Sequence, residues 1–231
     1  MAFYTSNAGR VYNILLERYS TTKNKVISTE HIRDACKFLK LEDKIVLPSI
    51  IRAGVIKPVI FKGIYYVLDR EERDLEKIKA DPLETIARAC NIRLGETWYF
   101  GLATALKLSG DWEQQTQTLV TIISKKRVQR AKTSFAGMSV EFKQLSSVPF
   151  GEQVQKSGAI RYSKPARTVL DYFYFSARNR ESKEYARIVM GRVLEKNQDR
   201  DKILDAAAKL AEKYPGLYQQ FLKTYVEKRV A

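Results

Sequence analysis

The sequence predicts an α+β fold in two parts. Apolar residues recur at helical spacing through the first fifty residues, and two short β-branched and aromatic runs follow them directly. From residue 93 onward, strand-length segments are succeeded by helical ones. With 231 residues, of which 45% are hydrophobic and 29% charged, the chain can bury a substantial core and has the composition of a globular protein.

Three short helices are predicted in the first part. The first runs from about Gly9 to Tyr19, and the second follows Ser28, a candidate N-cap. The apolar positions of the second helix keep the i, i+3, i+4, i+7 pattern, and they are Ile32, Ala35, Cys36 and Leu39. The third helix has Pro48 in its first turn, and its apolar stripe consists of Leu47, Ile50, Ile51 and Gly54.

A β-hairpin is predicted directly after these helices. Two extended runs, Val55 to Lys57 and Ile64 to Leu68, are joined by a segment that contains Pro58 and Gly63. Three helices closed by a hairpin make a winged helix-turn-helix, here residues 1–70. In that fold the third helix can enter the major groove of DNA, while the hairpin, or wing, can touch the adjacent backbone.

The remaining chain is predicted to contain a helical connector and a second domain. Residues 71–92 form the connector, whose second part begins at Pro82. Residues 93–231 form a mixed α+β domain with a helical C-terminus. Its strand-length segments are ETWYF, TQTLVTIIS, SFAGMSVEFKQLS and SGAIRYS, with the helical GLATALKLSG after the first of them. Four helical segments follow: PARTVLDYFYFSARN, SKEYARIVMGRVLEKN, RDKILDAAAKLAEKY and PGLYQQFLKTYVEKRV.

The strongest global signal is positive charge. The chain carries 41 Lys and Arg against 26 Asp and Glu, a formal net charge of +15, and such a field attracts polyanions because bound phosphates release their counterions. The alternative is that basic residues merely solvate the surface. On the winged-helix hypothesis, the candidate DNA contacts are Lys44, Ser49 and Arg52 on the third helix and Lys57 and Lys62 on the wing.

A second basic cluster follows the strand TQTLVTIIS. It is a phosphate-contacting surface or a solvated hairpin tip, and the sequence does not choose between them; its members are Lys125, Lys126, Arg127, Arg130 and Lys132.

Catalytic signatures are sparse, and we expect no enzyme, cofactor or metal. The single histidine, His31, is interpreted as an ordinary helix residue, and no phosphate-binding glycine loop occurs. Glu141 and Lys143 form an E-x-K pair on one face of a strand, which with an upstream Asp111 is typical of metal-dependent nucleases. The competing interpretation is the exposed charged face of an ordinary strand.

The cysteines and the hydropathy pattern indicate a reducing compartment. Cys36 and Cys90 lie among helix-forming residues, as expected for reduced, buried thiols. No apolar run approaches the roughly 20 residues that span a bilayer, and the N-terminus lacks the features of a signal peptide. We therefore expect a cytoplasmic protein without a membrane partner.

Several segments resemble the AbiEi family of antitoxin transcriptional regulators from abortive-infection toxin-antitoxin modules. They are RAGVIKPVIFKGIYYV, ETWYFGLATALKLSGD, QTLVTIISKKR and SKPARTVLDYF. The best patterns are YFGLATALKLSG and the Arg167-to-Asp171 helix, where the i, i+4 spacing fits a structural ion pair. The likeness spans about Val11 to Phe175 and weakens after Asn179.

The resemblance implies a repressor that binds its own promoter through the N-terminal domain, with a homodimer on DNA as an option. The second domain would counter a nucleotidyltransferase-like toxin without requiring a stable complex with it. Two alternatives remain: a metal-dependent nuclease-like domain guided by the winged helix, and a regulator that acts through protein-protein contacts.

Overall fold

The computed structural model describes residues 2–19, 24–111, 118–129, 131–145, 152–178, 181–196 and 199–213. They form helices and two β-sheets, so the expected mixed α+β class is confirmed. The described residues divide into two compact units, one within Met1–Glu96 and Thr133–Ser139 and the other within Thr97–Lys132 and Val140–Ala231. Within the described ranges, no helix combines the length and hydropathy needed to cross a membrane.

The first unit combines six helices with a three-stranded sheet across its described residues. In chain order its elements are α1 (Ala2–Thr5), α2 (Asn7–Tyr19), β1 (Val26–Ser28), α3 (Thr29–Phe38), α4 (Asp43–Arg52), β2 (Ile56–Pro58), β3 (Ile64–Val67), α5 (Arg70–Asp74) and α6 (Pro82–Leu94). The antiparallel sheet has the order β1-β3-β2. Helices α2, α3 and α4 bury their apolar faces in one core with residues of the sheet, around Val11, Ile32 and Ile50.

The hairpin and the second helix agree with the sequence analysis. Strands β2 and β3 pair with Ile56 opposite Val67. Ser28 caps α3, because its side chain accepts a hydrogen bond from the amide of Glu30 at 3.2 Å. His31 completes the cap: its Nδ1 accepts from the Ser28 amide at 3.0 Å. The histidine therefore has a structural task at the start of α3.

The third helix differs from its predicted form. Helix α4 begins at Asp43, so Pro48 lies inside the helix and not in its first turn. The buried residues are Val46 and Ile50, whereas Ile51, placed on the apolar stripe from the sequence, is 40% exposed. The helix is apolar on nearly all sides, and its periodicity therefore does not determine which face meets the core.

The predicted connector contains a buried carboxylate. Glu72 of α5 is fully buried, and it accepts hydrogen bonds from Lys25 Nζ at 2.8 Å and Tyr66 Oη at 2.6 Å. The amides of Asp69 and Lys79 also donate to it, at 3.0 and 2.9 Å. Glu72 thereby links α5 to β3 and to Lys25, the residue before β1. Pro82 starts α6 as predicted, and Asp81 caps that helix.

The segment from Trp98 to Glu212 builds, in its described residues, a six-stranded mixed sheet and four helices. Its elements are β4 (Trp98–Phe100), α7 (Leu102–Ser109), β5 (Leu119–Ser124), β6 (Lys132–Phe135), β7 (Met138–Gln144), β8 (Val154–Ser157), β9 (Ile160–Ser163), α8 (Pro165–Ala177), α9 (Lys183–Lys196) and α10 (Arg200–Glu212). The strand order is β6-β7-β5-β4-β9-β8, with β4 and β9 parallel. The predicted final helix, PGLYQQFLKTYVEKRV, lies outside the described residues.

Two segments predicted as single strands belong to hairpins. The segment SFAGMSVEFKQLS turns at Ala136 and Gly137, both with positive φ, and thus contributes to β6 and β7. Consecutive positive φ angles are the geometry of a tight hairpin turn. The segment SGAIRYS holds the turn between β8 and β9, with Gly158 at φ +60°.

The Arg167-to-Asp171 motif forms a buried network on α8. Arg167 Nε donates to Asp171 Oδ1 at 2.8 Å, which confirms the ion pair, and Tyr99 Oη donates to Asp171 Oδ2 at 2.9 Å. All three side chains are almost fully buried. The pair therefore joins α8 to β4 inside the core. Cys36 and Cys90 are free and buried, as expected.

Candidate nucleic-acid interface

Helix α4 exposes a face that combines two cations with apolar side chains. Lys44, Pro48 and Arg52 are exposed, and Ile45 and Ile51 are 67% and 40% exposed. The side chains of Lys44 and Arg52 form no ion pair or hydrogen bond with any described residue. After Asp43 the helix contains no acidic residue. This face, defined by these five residues, is called the α4 face below.

The α4 face is held in place by packing beneath it and by an ion pair at its start. Val46 and Ile50 enter the core with α2 and α3. Arg33 Nε of α3 donates to Asp43 Oδ2 at 2.9 Å, which links α3 to the first turn of α4. This hydrogen bond is the main reason that the pKa of Asp43 is lowered. The carboxylate thus stays ionised at the positive end of the helix dipole.

Ser49 is less exposed than Lys44 and Arg52. It is half-buried, and its hydroxyl donates to the carbonyl oxygen of Ile45 at 3.1 Å. The acceptor lies one helical turn before Ser49, and this bond occupies the single donor of the Ser49 hydroxyl. The Ser49 oxygen keeps acceptor capacity, but a base contact through its hydroxyl proton requires the internal bond to break.

The β2–β3 hairpin, predicted to be a wing, presents less basic surface than the sequence suggests. Lys57 is half-buried, and its Nζ donates to the carbonyl oxygen of Glu76 at 3.2 Å. The loop residues Val59, Ile60 and Phe61 are buried, whereas Lys62 is exposed. A hydrogen bond joins the loop to the start of α3, because the Gly63 carbonyl oxygen accepts from the Thr29 amide at 2.8 Å. Of the two candidate lysines on this hairpin, Lys62 is therefore the more accessible.

The second basic cluster lies between β5 and β6 of the second unit. Lys125, Lys126, Arg127 and Lys132 are exposed, whereas Arg130 lies outside the described residues. The loop start is fixed by Ser124, whose hydroxyl donates to the Lys126 carbonyl at 2.5 Å. These side chains remain candidates for phosphate contact or for simple solvation.

The E-x-K pair is buried more deeply than an exposed strand face would be. Lys143 is 8% exposed at its side chain, and its Nζ lies 2.9 Å from Glu181 and 3.4 Å from Glu141. It also lies 5.6 Å from the ring centre of Phe175. The interpretation of an exposed charged face is therefore wrong for Lys143, because α8 and the segment before α9 cover that side of β7. The ammonium lies near two carboxylates and compensates one of their two negative charges.

Asp111 has a local role. Its carboxylate accepts from the Ser109 hydroxyl at 2.5 Å, and its amide donates to the Leu106 carbonyl at 2.9 Å, just after the end of α7. Asp111 therefore closes the turn that follows α7. Among the described residues, no group of three or more His, Cys, Asp or Glu is arranged to hold a metal ion.

The fold and the α4 face define a class: an α+β protein of two compact units, the first of which presents a short cationic helix beside a three-stranded sheet. The crystal structure of the RV2827C protein from Mycobacterium tuberculosis is similar, with a TM-score of 0.51 and 13% identity over 94% of this chain and 80% of that chain. At this identity the likeness concerns the fold alone. Comparison with protein-family models and with curated proteins finds no match.

Proposed function

We propose that this protein is a DNA-binding transcriptional repressor whose α4 enters the major groove. The observation that carries the proposal is the α4 face, where Lys44 and Arg52 are exposed on a helix with no acid after Asp43. Arg52 lies eight positions after Lys44, which corresponds to about 12 Å along the helix axis. The major groove, about 12 Å wide, admits an α-helix.

The element order of the first unit supports the same proposal. Helix α2, strand β1, helices α3 and α4 and the β2–β3 hairpin follow one another as in a winged helix-turn-helix. On this hypothesis α4 is the recognition helix, and Lys62 at the tip of the hairpin contacts the phosphate backbone. The segments that resemble AbiEi regulators extend the proposal to the antitoxin of a toxin-antitoxin module that represses its own operon, in which the second unit would counter the toxin.

The nuclease alternative is less favoured by the chemistry of its proposed residues. Lys143 is bonded to Glu181 and close to Glu141, so both carboxylates are paired with the lysine ammonium. A metal-dependent nuclease needs several carboxylates that converge on one cation. We therefore propose a structural role for this cluster, in which the lysine stabilises the packing of α8 and of the segment before α9 on β7.

The test uses a duplex taken from immediately upstream of the protein's own gene and a scrambled duplex of the same composition. The full chain should bind the upstream duplex more tightly. Arg52→Ala should narrow the difference between the two duplexes, because a lost bidentate contact to guanine costs about 1–3 kcal/mol of discrimination. Lys62→Ala should weaken both duplexes about equally, as expected for a phosphate contact.

Two results would contradict the proposal. One is equal binding of both duplexes by the parent, and the other is parent-like binding by both folded variants. The same samples, incubated with Mg²⁺, also address the nuclease alternative. Cleavage by the parent that is lost in Glu141→Ala/Lys143→Ala would favour an enzyme instead.

A further inference from the structure

The α4 face carries isoleucines where a purely electrostatic DNA contact would carry polar side chains. Ile45 is 67% exposed and Ile51 is 40% exposed, with the ring of Pro48 between them. Packing in the core does not explain these exposed apolar side chains, because α4 contacts the core through Val46 and Ile50. They are therefore candidates for contact with a partner.

The isoleucines and the cations lie in two parallel rows. Residues seven apart lie almost on one line along an α-helix, offset by only about 20°. Lys44 and Ile51 form one row, and Ile45 and Arg52 form the other, with Pro48 between the rows. Each row thus has one cation and one isoleucine. The cation comes first along the chain in one row, and the isoleucine comes first in the other. The members of a row are separated by about 10 Å along the axis, which is close to three base-pair steps of about 3.4 Å.

We infer that the α4 face reads thymine methyl groups, with Ile45 and Ile51 each packing against the C5-methyl of a thymine in the major groove. This inference rests on the proposed function, and it specifies which bases the recognition helix prefers. In the major groove the thymine methyl is the one apolar group that a base edge offers, and apolar side chains are its natural contacts. Lys44 is left to contact a phosphate and Arg52 a guanine edge, each about three base pairs from a thymine.

Charge complementarity favours DNA over a second copy of this chain. Two α4 faces laid against each other would bring Lys44 and Arg52 of one copy toward the same cations of the other. No acidic residue of α4 after Asp43 could compensate them. A duplex offers apolar methyl groups and negative charge in the same groove, and therefore matches both components of the face.

The experiment begins with the full chain and a pool of random-sequence duplexes, from which the bound sequences are selected. Each thymine of the selected sequence is then replaced in turn by deoxyuridine, which removes only the C5-methyl. Loss of one buried methyl should weaken binding about fourfold. We expect this loss at two or more thymines, and in Ile45→Ala or Ile51→Ala the loss should disappear at the thymine that the missing side chain contacted.

Ile92→Ala is the matched control. Ile92 lies on α6 of the same unit and is 40% exposed, as is Ile51. This variant should keep the full uridine effect at every thymine. Circular dichroism of each variant verifies folding, and sedimentation detects a change in self-association.

The outcomes separate the inference from the proposed function. Selective, salt-sensitive binding without a uridine effect overturns the inference alone. The same holds for a uridine effect that persists unchanged in Ile45→Ala and Ile51→Ala. A dimer that dissociates in these variants without any change in DNA binding also overturns it, in favour of a self-association surface. If the pool yields no salt-sensitive binding, both the inference and the proposed function are wrong.

Discussion

Replacement of Glu72 by alanine should strongly destabilise the first unit. Glu72 is fully buried, and its carboxylate accepts from the side chains of Lys25 and Tyr66 and from the amides of Asp69 and Lys79. The substitution leaves the Tyr66 hydroxyl and both amides without this acceptor. Lys25 keeps its second partner, Asp69, at 2.6 Å.

The expected loss follows from these contacts. A buried donor left without an acceptor costs about 1–3 kcal/mol, and removal of one partner of a buried ion pair costs about 3–5 kcal/mol. Lys25 remains paired with Asp69, so the loss comes mainly from the three donors left without an acceptor. At about 1–3 kcal/mol for each donor, we expect the free energy of unfolding to fall by at least about 3 kcal/mol. Glu71→Ala is the matched control, because Glu71 is 65% exposed and pairs with Lys79. Its loss should stay below about 1 kcal/mol.

Urea unfolding followed by far-UV circular dichroism measures both variants. Hydrogen exchange of residues 64–79 localises the effect, since β3 and α5 should lose protection in Glu72→Ala but not in Glu71→Ala. Equal unfolding free energies for the two variants would refute the reasoning. So would a large loss in Glu72→Ala without faster exchange in this segment.

The remaining predictions concern pH and the buried groups of both units. Burial alone would raise the pKa of Glu72, but hydrogen bonds from Lys25 and Tyr66 outweigh it, and the pKa is lowered from its ordinary 4.5. The ionised Glu72 therefore stabilises the fold above pH 4.5, and this contribution is lost as the pH falls through the lower pKa of the folded protein. In urea unfolding, the difference in unfolding free energy between the parent and Glu72→Ala should shrink in acid. A difference that stays constant with pH would contradict this prediction. Burial raises the pKa of both cysteine thiols, and a thiol reagent at neutral pH should therefore modify Cys36 and Cys90 only after unfolding; rapid reaction of the native protein would show one of them to be accessible. Arg167→Met should lower the free energy of unfolding by about 3–5 kcal/mol, because it leaves the Asp171 carboxylate buried with Tyr99 alone. The double variant Arg167→Met/Asp171→Leu should lower it less. A double variant that is less stable than the single one would show that loss of the buried pair is not the cause.

Local signals predicted the elements that have clear start and stop residues. Ser28 marks the start of α3, Pro82 and Asp81 mark the start of α6, and Gly110 follows the end of α7. Caps and helix-breaking residues act within a few positions of the chain. For these three helices the sequence is therefore sufficient, whereas Pro48, expected in the first turn of α4, lies inside that helix.

The orientation of α4 and the strand β1 could not be obtained in the same way. In α4 the apolar run Ile45, Val46 and Leu47 is followed by Ile50 and Ile51. The core contacts of Val46, and not the periodicity, determine the buried side. Strand β1 has only three residues, and its pairing with β3 depends on residues about forty positions away. Such long-range pairing leaves no clear local pattern.

The buried charges were missed because their partners are distant in sequence. Lys25 and Glu72 are separated by 47 positions, and Lys143 meets Glu181 from a different element. One local signal for Glu72 was present: Asp69 followed three residues later by Glu72 is the spacing of a capping box, and the structure forms it. That spacing predicts a helix start, but not the burial of the glutamate.

The central claim is that the α4 face binds DNA, and the salt dependence of duplex binding tests it most directly. The measurement compares the parent, Lys44→Ala and Lys107→Ala, a control in which an exposed lysine of α7 in the second unit is removed. The account predicts that the logarithm of the binding constant falls linearly with the logarithm of salt concentration for all three. The slope should decrease by about one in Lys44→Ala only. No binding at low salt, or the same slope for Lys44→Ala and Lys107→Ala, would contradict the claim.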